Sequence, residues 1–224
     1  MKENKDHKEG TAISKATIDR LPLYFRTLRA ALDEGLEVIS SEEMGKRLGI
    51  TAEQIRKDLA SFGEFGKKGV GYYARQLIRD IGEILGLHLN WRLAIVGVGH
   101  LGWALANYRN FSPLGFILTA LFDVDPAKVG QVINGVEIRP IEEMDKIIKE
   151  KNIQIGVITV PAEHAQGVAD RLIRAGVRGI WNFAPVRLNV PPGIYLSSED
   201  LSVGLSSISY HLSRSIGKDC IGKD

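Results

Sequence analysis

Three glycines at positions 97, 99 and 102 have the spacing of a dinucleotide-binding turn. An apolar run over residues 93–96 precedes them, and a helical pattern over residues 103–108 follows. In such a unit the first glycine makes the turn, the second lets the backbone approach a pyrophosphate, and the third lets the helix pack on the strand. The N–H groups that begin the helix favour phosphate. This pattern predicts a dinucleotide site built from the following residues: Gly97, Val98, Gly99, His100, Leu101 and Gly102.

An acidic residue stands where such a site needs a ligand for the adenosine ribose. Asp123 ends the apolar run 118–122 and follows the last glycine by about the 20 residues typical of these sites. A carboxylate there accepts hydrogen bonds from both ribose hydroxyls and repels a 2′-phosphate, so we expect NADH and NAD+ rather than their phosphorylated forms. The alternative is a glycine turn that serves only close packing of helix on strand.

The elements that must position these residues alternate along the second half of the chain. Apolar runs predict strands over residues 93–96, 117–122, 155–159 and 178–181, and amphipathic patterns predict helices over residues 100–108, 142–150 and 163–175. This alternation predicts a parallel sheet with ligands at the carboxyl ends of its strands. Two more strand ends therefore supply candidate cofactor contacts: Thr159, Val160 and Pro161, then Asn182 and Phe183. Proline at a strand end is also an ordinary stop signal.

Positive charge is concentrated near the N-terminus. Residues 46–79 contain eight basic and three acidic residues, a net charge of +5, whereas the whole 224-residue chain totals +2. A focused basic segment is typical of a protein that binds a phosphate backbone. The remaining composition is that of an ordinary globular protein, and no apolar run is long enough to span a membrane. We therefore expect a cytoplasmic protein with no membrane contact.

The basic segment begins with two helix-start signals. Ser40 and Glu43 have capping-box spacing before a short helix through Leu48, and Gly49 ends that helix. Thr51 begins a second box and a helix to about residue 62, with Ile55, Leu59 and Phe62 on one face. Two short helices joined by a glycine turn predict a helix-turn-helix. The outward face of the second helix then carries the groups able to reach base edges and phosphates, unless it is only a solvated surface: Gln54, Arg56, Lys57 and Ser61.

A glycine-punctuated stretch over residues 63–73 follows and predicts a β-hairpin wing with lysines at its tip. An upstream helix over residues 14–33 supplies apolar support at helical spacing from Ile18, Leu21, Phe25, Leu28 and Leu32. These features together predict a winged-helix domain that binds DNA. The candidate DNA contacts are Ser41, Thr51, Gln54, Arg56, Lys57, Ser61, Lys67, Lys68 and Tyr72.

The remaining segments argue against an enzyme. After a linker helix over residues 74–87 and the predicted sheet, the chain has room only for one amphipathic helix over residues 198–214 and no substrate domain. We interpret His164 as an exposed residue at a helix start rather than a catalytic base, and Cys220 gives neither a disulfide framework nor a cysteine-based metal site. The apolar stripe of the final helix predicts docking on a second subunit.

Several motifs closely resemble the Rex family over residues 14–213. They are Arg-Lys-Asp-Leu at 56–59, the wing at 65–72, the glycine turn, Phe-Asp-Val-Asp-Pro at 122–126, Thr-Val-Pro-Ala at 159–162 and Asn-Phe-Ala-Pro at 182–185. The resemblance implies a redox-sensing repressor that binds an inverted-repeat operator as a homodimer when NADH is low. NADH and NAD+ would be sensed and not turned over. The open alternatives are an NAD-dependent oxidoreductase and a CoA-binding module.

The same resemblance assigns roles to residues outside the motifs. It implies a C-terminal helix swapped between subunits and a switch formed by Arg26, Tyr108 and Asp200, with Arg26 pairing with Asp200 in the DNA-competent state. We expect Tyr108 and Leu201 to contact the nucleotide as well. The predicted divisions are a flexible N-terminus (1–13), a winged-helix domain (14–82), a Rossmann domain (83–196), a swapped helix (197–215) and a tail (216–224).

Overall fold

The computed structural model describes residues 13–67 and 69–221. The chain forms two compact units, an N-terminal unit (Met1–Leu89) and a C-terminal unit (Asn90–Asp224). Among the described residues no helix is long and apolar enough to cross a membrane, and no group of three or more potential metal ligands lies together. Residues 1–12 of the predicted flexible N-terminus lie outside the described residues, and so do Lys68 and residues 222–224.

The N-terminal unit is helical with one small sheet. Its helices are α1 (Lys15–Asp33), α2 (Ser41–Leu48), α3 (Ala52–Ala60) and α4 (Ala74–Ile84), and its strands β1 (Val38–Ile39) and β2 (Tyr72–Tyr73) pair antiparallel. The predicted caps are present, since Ser40 Oγ accepts from Glu43 N at 3.1 Å and Thr51 Oγ1 accepts from Gln54 N at 3.2 Å. Gly49 ends α2 in the left-handed conformation at φ +67°.

Two details of the N-terminal unit differ from the sequence prediction. Ile18 is 45% exposed, because the buried stripe of α1 runs through Leu21, Tyr24 and Leu28 instead. The predicted wing strands are reduced to a single antiparallel bridge, in which Lys67 N donates to Gly71 O at 2.9 Å and Gly71 N donates to Lys67 O at 3.0 Å. Residues 72–73 pair with β1 rather than with the other arm of a hairpin, which places the Tyr72 side chain in the core.

The C-terminal unit is built on a seven-stranded, mostly parallel sheet. Its strands are β3 (Trp91–Val96), β4 (Phe116–Asp123), β5 (Val132–Ile133), β6 (Val136–Pro140), β7 (Ile155–Ile158), β8 (Gly179–Asn182) and β9 (Tyr195–Ser198). The order across the sheet is β5-β6-β4-β3-β7-β8-β9, and only β5 pairs antiparallel. The order reverses beside β3, so the carboxyl ends of β3, β4 and β7 lie together at the edge where such sheets bind ligands.

The two faces of this sheet are covered unequally. The helices are α5 (His100–Ala106), α6 (Met144–Glu150), α7 (Ala162–Ala175) and α8 (Leu201–Ile221). One face packs on α6 and α7 in a large core that includes Phe122, Ile158 and Leu172. The other face packs on the two-turn helix α5, and side chains such as Ile155 and Trp181 stay only partly buried there.

The sequence prediction lacks three strands and misplaces both ends of the last helix. Strands β5, β6 and β9 were not predicted, and residue 198 ends β9 instead of beginning the last helix. Helix α8 therefore starts at Leu201, and it continues to Ile221, beyond the predicted end at 214 and into the predicted tail.

Candidate nucleotide site and nucleic-acid interface

The glycine turn connects β3 to α5 as the sequence predicts. Gly97 has φ +90°, and a Cβ on it would come within 2.9 Å of the Thr159 carbonyl oxygen, so only glycine fits. A Cβ on Gly102 would overlap the Gly97 carbonyl oxygen. Gly97 and Gly102 are therefore required by close packing within the chain itself. For these two positions the structure matches the alternative interpretation, in which the glycine turn serves only packing of helix on strand.

Gly99 has a different environment. Its φ is −77°, a value open to any residue, and a Cβ built on it meets nothing within 4 Å. The fold of the chain therefore gives no reason for glycine at this position. Open space beside bare backbone is what the close approach of a ligand phosphate needs.

Asp123 is locked onto the glycine turn. Its carboxylate is 6% exposed; Oδ2 accepts from Val98 N at 2.7 Å and from Lys128 Nζ at 3.1 Å, and Oδ1 accepts from Asp125 N at 2.9 Å. Burial acts to raise the pKa of this carboxyl, but the two backbone N–H groups and the ammonium outweigh it and lower the pKa below its usual value. The residue is thus a fixed negative charge at the end of β4.

The strand end at Thr159 braces this turn, and the strand end at Asn182 holds the loop that follows it. The Thr159 hydroxyl donates toward the Gly97 carbonyl oxygen at 2.6 Å. Asn182 is fully buried; its amide nitrogen donates to Ala184 O at 3.1 Å and to Val186 O at 3.0 Å. Sequence reasoning selected both as cofactor contacts, and the structure shows that their side chains hold backbone. Direct contact with a nucleotide stays a prediction for them.

The remaining candidates of the C-terminal unit differ in exposure. His100, Pro161, Tyr108, Asp200 and Leu201 are exposed, and Leu101, Val160 and Phe183 are partly buried. His164 is exposed in the first turn of α7, as expected.

Two residues assigned to the switch have partners of their own in this unit. The Tyr108 ring packs edge-on against Phe111, with centroids 5.0 Å apart. The Asp200 carboxylate caps the start of α8 by accepting from Ser202 N at 2.8 Å and from its hydroxyl at 2.6 Å. The switch roles of Arg26, Tyr108 and Asp200 stay predictions.

Helices α2 and α3 form the predicted helix-turn-helix. Ile55 and Leu59 of α3 are buried, while Arg56, Lys57 and Ser61 are exposed on the opposite side. An amphipathic helix that packs through one face leaves the other free for a partner.

Arg56 is held in place by α2. Its guanidinium donates to Ser41 Oγ at 2.7 Å and to Glu42 Oε1 at 3.0 Å. Ser41 and Tyr72 are themselves buried, and contact of these two residues with DNA stays a prediction. Lys57 and Lys67 are exposed, and no ion pair involves either of them among the described residues.

Sequence reasoning missed a buried charge on α3. Asp58 is 1% exposed, and its carboxylate accepts from Arg20 at 2.6 and 2.8 Å, from Tyr24 Oη at 2.6 Å, and from Gln54 Nε2 at 2.8 Å. Thr17 Oγ1 lies 3.2 Å away. Burial acts to raise the pKa of Asp58, but these hydrogen bonds outweigh it and lower the pKa to about 2.

This network joins the outward-facing helix to α1. Because Arg20 balances Asp58, that carboxylate does not offset the exposed charge of Lys57, whereas Arg56 is paired with Glu42. Gln54, predicted to reach bases, is half-buried with its amide nitrogen committed to Asp58. The signal was present in the sequence, since Asp58 falls on the apolar stripe with Ile55 and Leu59.

Comparison with known proteins identifies both units. A family described as "CoA binding domain" matches residues 88–186, and one described as "Putative DNA-binding protein N-terminus" matches residues 12–60. The redox-sensing transcriptional repressor Rex of Roseiflexus sp. (strain RS-1) is 50% identical over 199 residues, which cover 89% of this chain and 90% of that protein. The protein of the same name from Syntrophobacter fumaroxidans is 50% identical over 202 residues, covering 90% and 96%.

The chain belongs to the Rex family. The family predicted from the motifs is thereby confirmed. A crystal structure of RSP with β-NAD+ and operator DNA has a TM-score of 0.86 and 41% identity, covering 95% of this chain and 99% of that one. The crystal structure of RSP with β-NADH has a TM-score of 0.85 and 39% identity, covering 94% and 99%. RSP is a Rex-family repressor, so a member of the family shares the fold of this chain, a helical N-terminal DNA-binding region followed by a mostly parallel sheet.

Proposed function

We propose that this chain is a redox-sensing transcriptional repressor that binds an inverted-repeat operator as a homodimer when NADH is low and is released when NADH binds. We place it in the cytoplasm. The observation that carries the proposal is the presence of two sites in one chain. Residues 14–82 supply a helix-turn-helix with a basic outward face, and residues 83–196 supply a glycine turn with open space at Gly99 and a fixed carboxylate at Asp123.

The residues at the sheet edge fit a dinucleotide. Gly99 leaves room for the pyrophosphate, and Asp123 supplies a buried acceptor beside the same turn. NADH and NAD+ differ at the nicotinamide ring, which is uncharged when reduced and positively charged when oxidised. Thr159 and Asn182 fix the two neighbouring strand ends, so the protein backbone on that side is preorganised.

The exposed basic residues of the N-terminal unit fit a DNA duplex. Lys57 and Lys67 are available to phosphates, while the Arg56 guanidinium is presented by Ser41 and Glu42 at the start of α2. Phosphate contacts fix the position of a protein on DNA, and side chains at base edges supply sequence preference. Lys68 lies outside the described residues and stays a predicted contact.

Two uncovered apolar surfaces support a homodimer. On α8, Leu201, Leu205, Ile208 and Leu212 are each more than half exposed, which is costly for a helix in water. One face of the sheet in the same unit also leaves Trp181 and its neighbours only partly buried. We propose that α8 of one protomer covers apolar surface of its partner, and two-fold symmetry then matches an inverted repeat.

Linkage determines how such a protein senses its ligand. NADH lowers operator affinity only if it binds the DNA-free form of the dimer more tightly than the DNA-bound form. No chemical turnover is needed, and the relatives are named as repressors rather than enzymes. The chain is therefore a regulator, with NADH and NAD+ as sensed ligands.

The test is operator binding by fluorescence anisotropy at fixed salt. Palindromic AT-rich duplexes are titrated with the full chain, and NADH, NAD+ and CoA are then added separately. We expect NADH to release the DNA. NAD+ and CoA should leave the DNA bound. Release by CoA alone would instead favour the CoA-binding alternative, and turnover of NADH with a substrate would favour an oxidoreductase. Failure to bind any duplex would contradict the proposal.

A further inference from the structure

The loop after β4 brings a lysine onto the ribose-binding carboxylate. Lys128 Nζ lies 3.1 Å from Asp123 Oδ2 and 3.7 Å from Asp125 Oδ2. Lys128 is 35% exposed, whereas Asp123 is 6% exposed. The backbone holds this loop in place, because Lys128 N donates to Asp125 O at 3.0 Å and Asp125 Oδ1 accepts from Ala127 N at 2.9 Å.

Lys128 limits what Asp123 can do for a nucleotide. A carboxylate has about four acceptor positions. Val98 N, Asp125 N and Lys128 Nζ occupy three of them, which leaves about one for a ribose hydroxyl. While Lys128 stays paired with Asp123, the carboxylate has room for about one ribose hydroxyl rather than the two expected from the sequence.

Lys128 also reduces the negative charge at the carboxyl end of β4. Asp123 and Asp125 contribute two negative charges, and Lys128 balances one of them. Repulsion of a 2′-phosphate by Asp123 is weakened by a cation that contacts the same carboxylate. A lysine ammonium is a mobile point charge with three donors, so it can turn toward a hydroxyl oxygen or a phosphate.

We propose that Lys128 is the second ribose-binding group of the nucleotide site and determines how strongly that site rejects a 2′-phosphate. It donates to a ribose oxygen while Asp123 accepts from one hydroxyl. The preference for NADH over NADPH is then a balance between Lys128 and Asp123 rather than a property of the carboxylate alone. This inference rests on the nucleotide site of the proposed function.

The experiment measures NADH and NADPH binding to the full chain by the fluorescence of the reduced ring, with competition against NADH where NADPH binds weakly. The variant Lys128→Met removes the charge and keeps the apolar stem. We expect it to weaken NADPH binding by about tenfold and NADH binding by less than about threefold. Lys128→Arg keeps the charge and should stay close to the parent protein in the ratio of the two affinities.

Lys146→Met is the matched control, because Lys146 is an exposed residue of α6 whose ion pair with Glu150 spans 3.9 Å. It should leave both affinities unchanged, and circular dichroism checks that each variant is folded. Equal losses for NADH and NADPH, or no loss in Lys128→Met, would overturn the inference. Complete rejection of NADPH by the parent protein would also overturn it, since a paired Asp123 repels only in part. Failure of the parent protein to bind NADH is a separate result that contradicts the proposed function.

Discussion

Asp58→Asn tests whether the buried carboxylate on α3 holds the DNA-binding unit together. Asparagine keeps the shape of the side chain and removes its charge. Its amide group also brings donors toward Arg20 and Tyr24, which already donate to this position. The substitution therefore replaces a satisfied ion pair by facing donors in a site that is 1% exposed.

The size of the effect follows from the pKa of Asp58. A fall from 3.8 to about 2 corresponds to roughly 2 kcal/mol in favour of the charged form in the folded protein. Removing one partner of a buried ion pair costs about 3–5 kcal/mol, because the other charge is left unpaired. We expect Asp58→Asn to lower the free energy of unfolding of the N-terminal unit by about 3 kcal/mol, a large share of the total for a small domain.

Hydrogen exchange of α1 and α3 peptides at increasing urea isolates this unit, because all three tryptophans lie in the C-terminal unit. Asp19→Asn is the matched control: Asp19 is an exposed residue of α1 paired with Lys15, and it should change stability by less than about 0.5 kcal/mol. Operator affinity should fall at least about tenfold in Asp58→Asn while NADH affinity stays unchanged. Equal stability of the two variants would refute the reasoning.

The same carboxylate gives the N-terminal unit a defined acid sensitivity. Because the pKa of Asp58 is lower in the folded than in the unfolded protein, its contribution is fully present above about pH 4. It is lost as the pH falls from about 4 toward 2. The exchange rates of α3 amides, corrected for intrinsic pH dependence, should rise in the parent protein as the pH falls over this interval. In Asp58→Asn this rise should be absent.

Three further variants probe the other sites. Gly102→Ala places a methyl group on a backbone carbonyl of the glycine turn, so it should destabilise the C-terminal unit by about 1–3 kcal/mol and weaken NADH binding. Gly167→Ala, in open space on α7, should do neither. Tryptophan fluorescence in urea measures the stability of both variants, and the fluorescence of the reduced ring measures their NADH binding. Lys67→Ala should weaken binding to every duplex alike and reduce the slope of log affinity against log salt by about 1, as measured by anisotropy; an unchanged slope would remove Lys67 from the phosphate contacts. Leu205→Glu should raise the dimer dissociation constant at least about tenfold in sedimentation experiments, and Ser206→Glu on the same helix should not.

Local signals in the sequence were sufficient for the elements that depend on neighbouring residues. Ser40, Thr51 and Gly49 mark helix ends because a cap bonds to backbone three or four residues away. A hairpin signal was also present at Asn134 and Gly135, which both have positive φ between β5 and β6, but it was not used. Strand β9 has no comparable signal, since its residues are largely exposed and only pairing with β8 defines it.

Longer-range contacts decided the chemistry of individual side chains. Asp58 counts as an acidic residue against the basic segment in the sequence, yet Arg20, 38 positions away, makes it the anchor of α3. Gln54 looks free to reach a base, yet its amide is committed to Asp58. Asp123 stands at the correct distance from the glycines, but its neighbours Val98 and Lys128 leave little of its acceptor capacity for a ligand.

The sequence by itself determined the two-part construction of this protein, the glycine turn followed by an acidic residue, and the family to which the chain belongs. These properties depend on residue type and spacing, which a linear pattern records directly. Only the tertiary structure decided which of the three glycines is left open to a ligand, which charges on the basic segment are neutralised, and which strand ends are occupied by their own hydrogen bonds. Those outcomes depend on atoms brought together from distant positions, and spacing alone does not encode the distances between them.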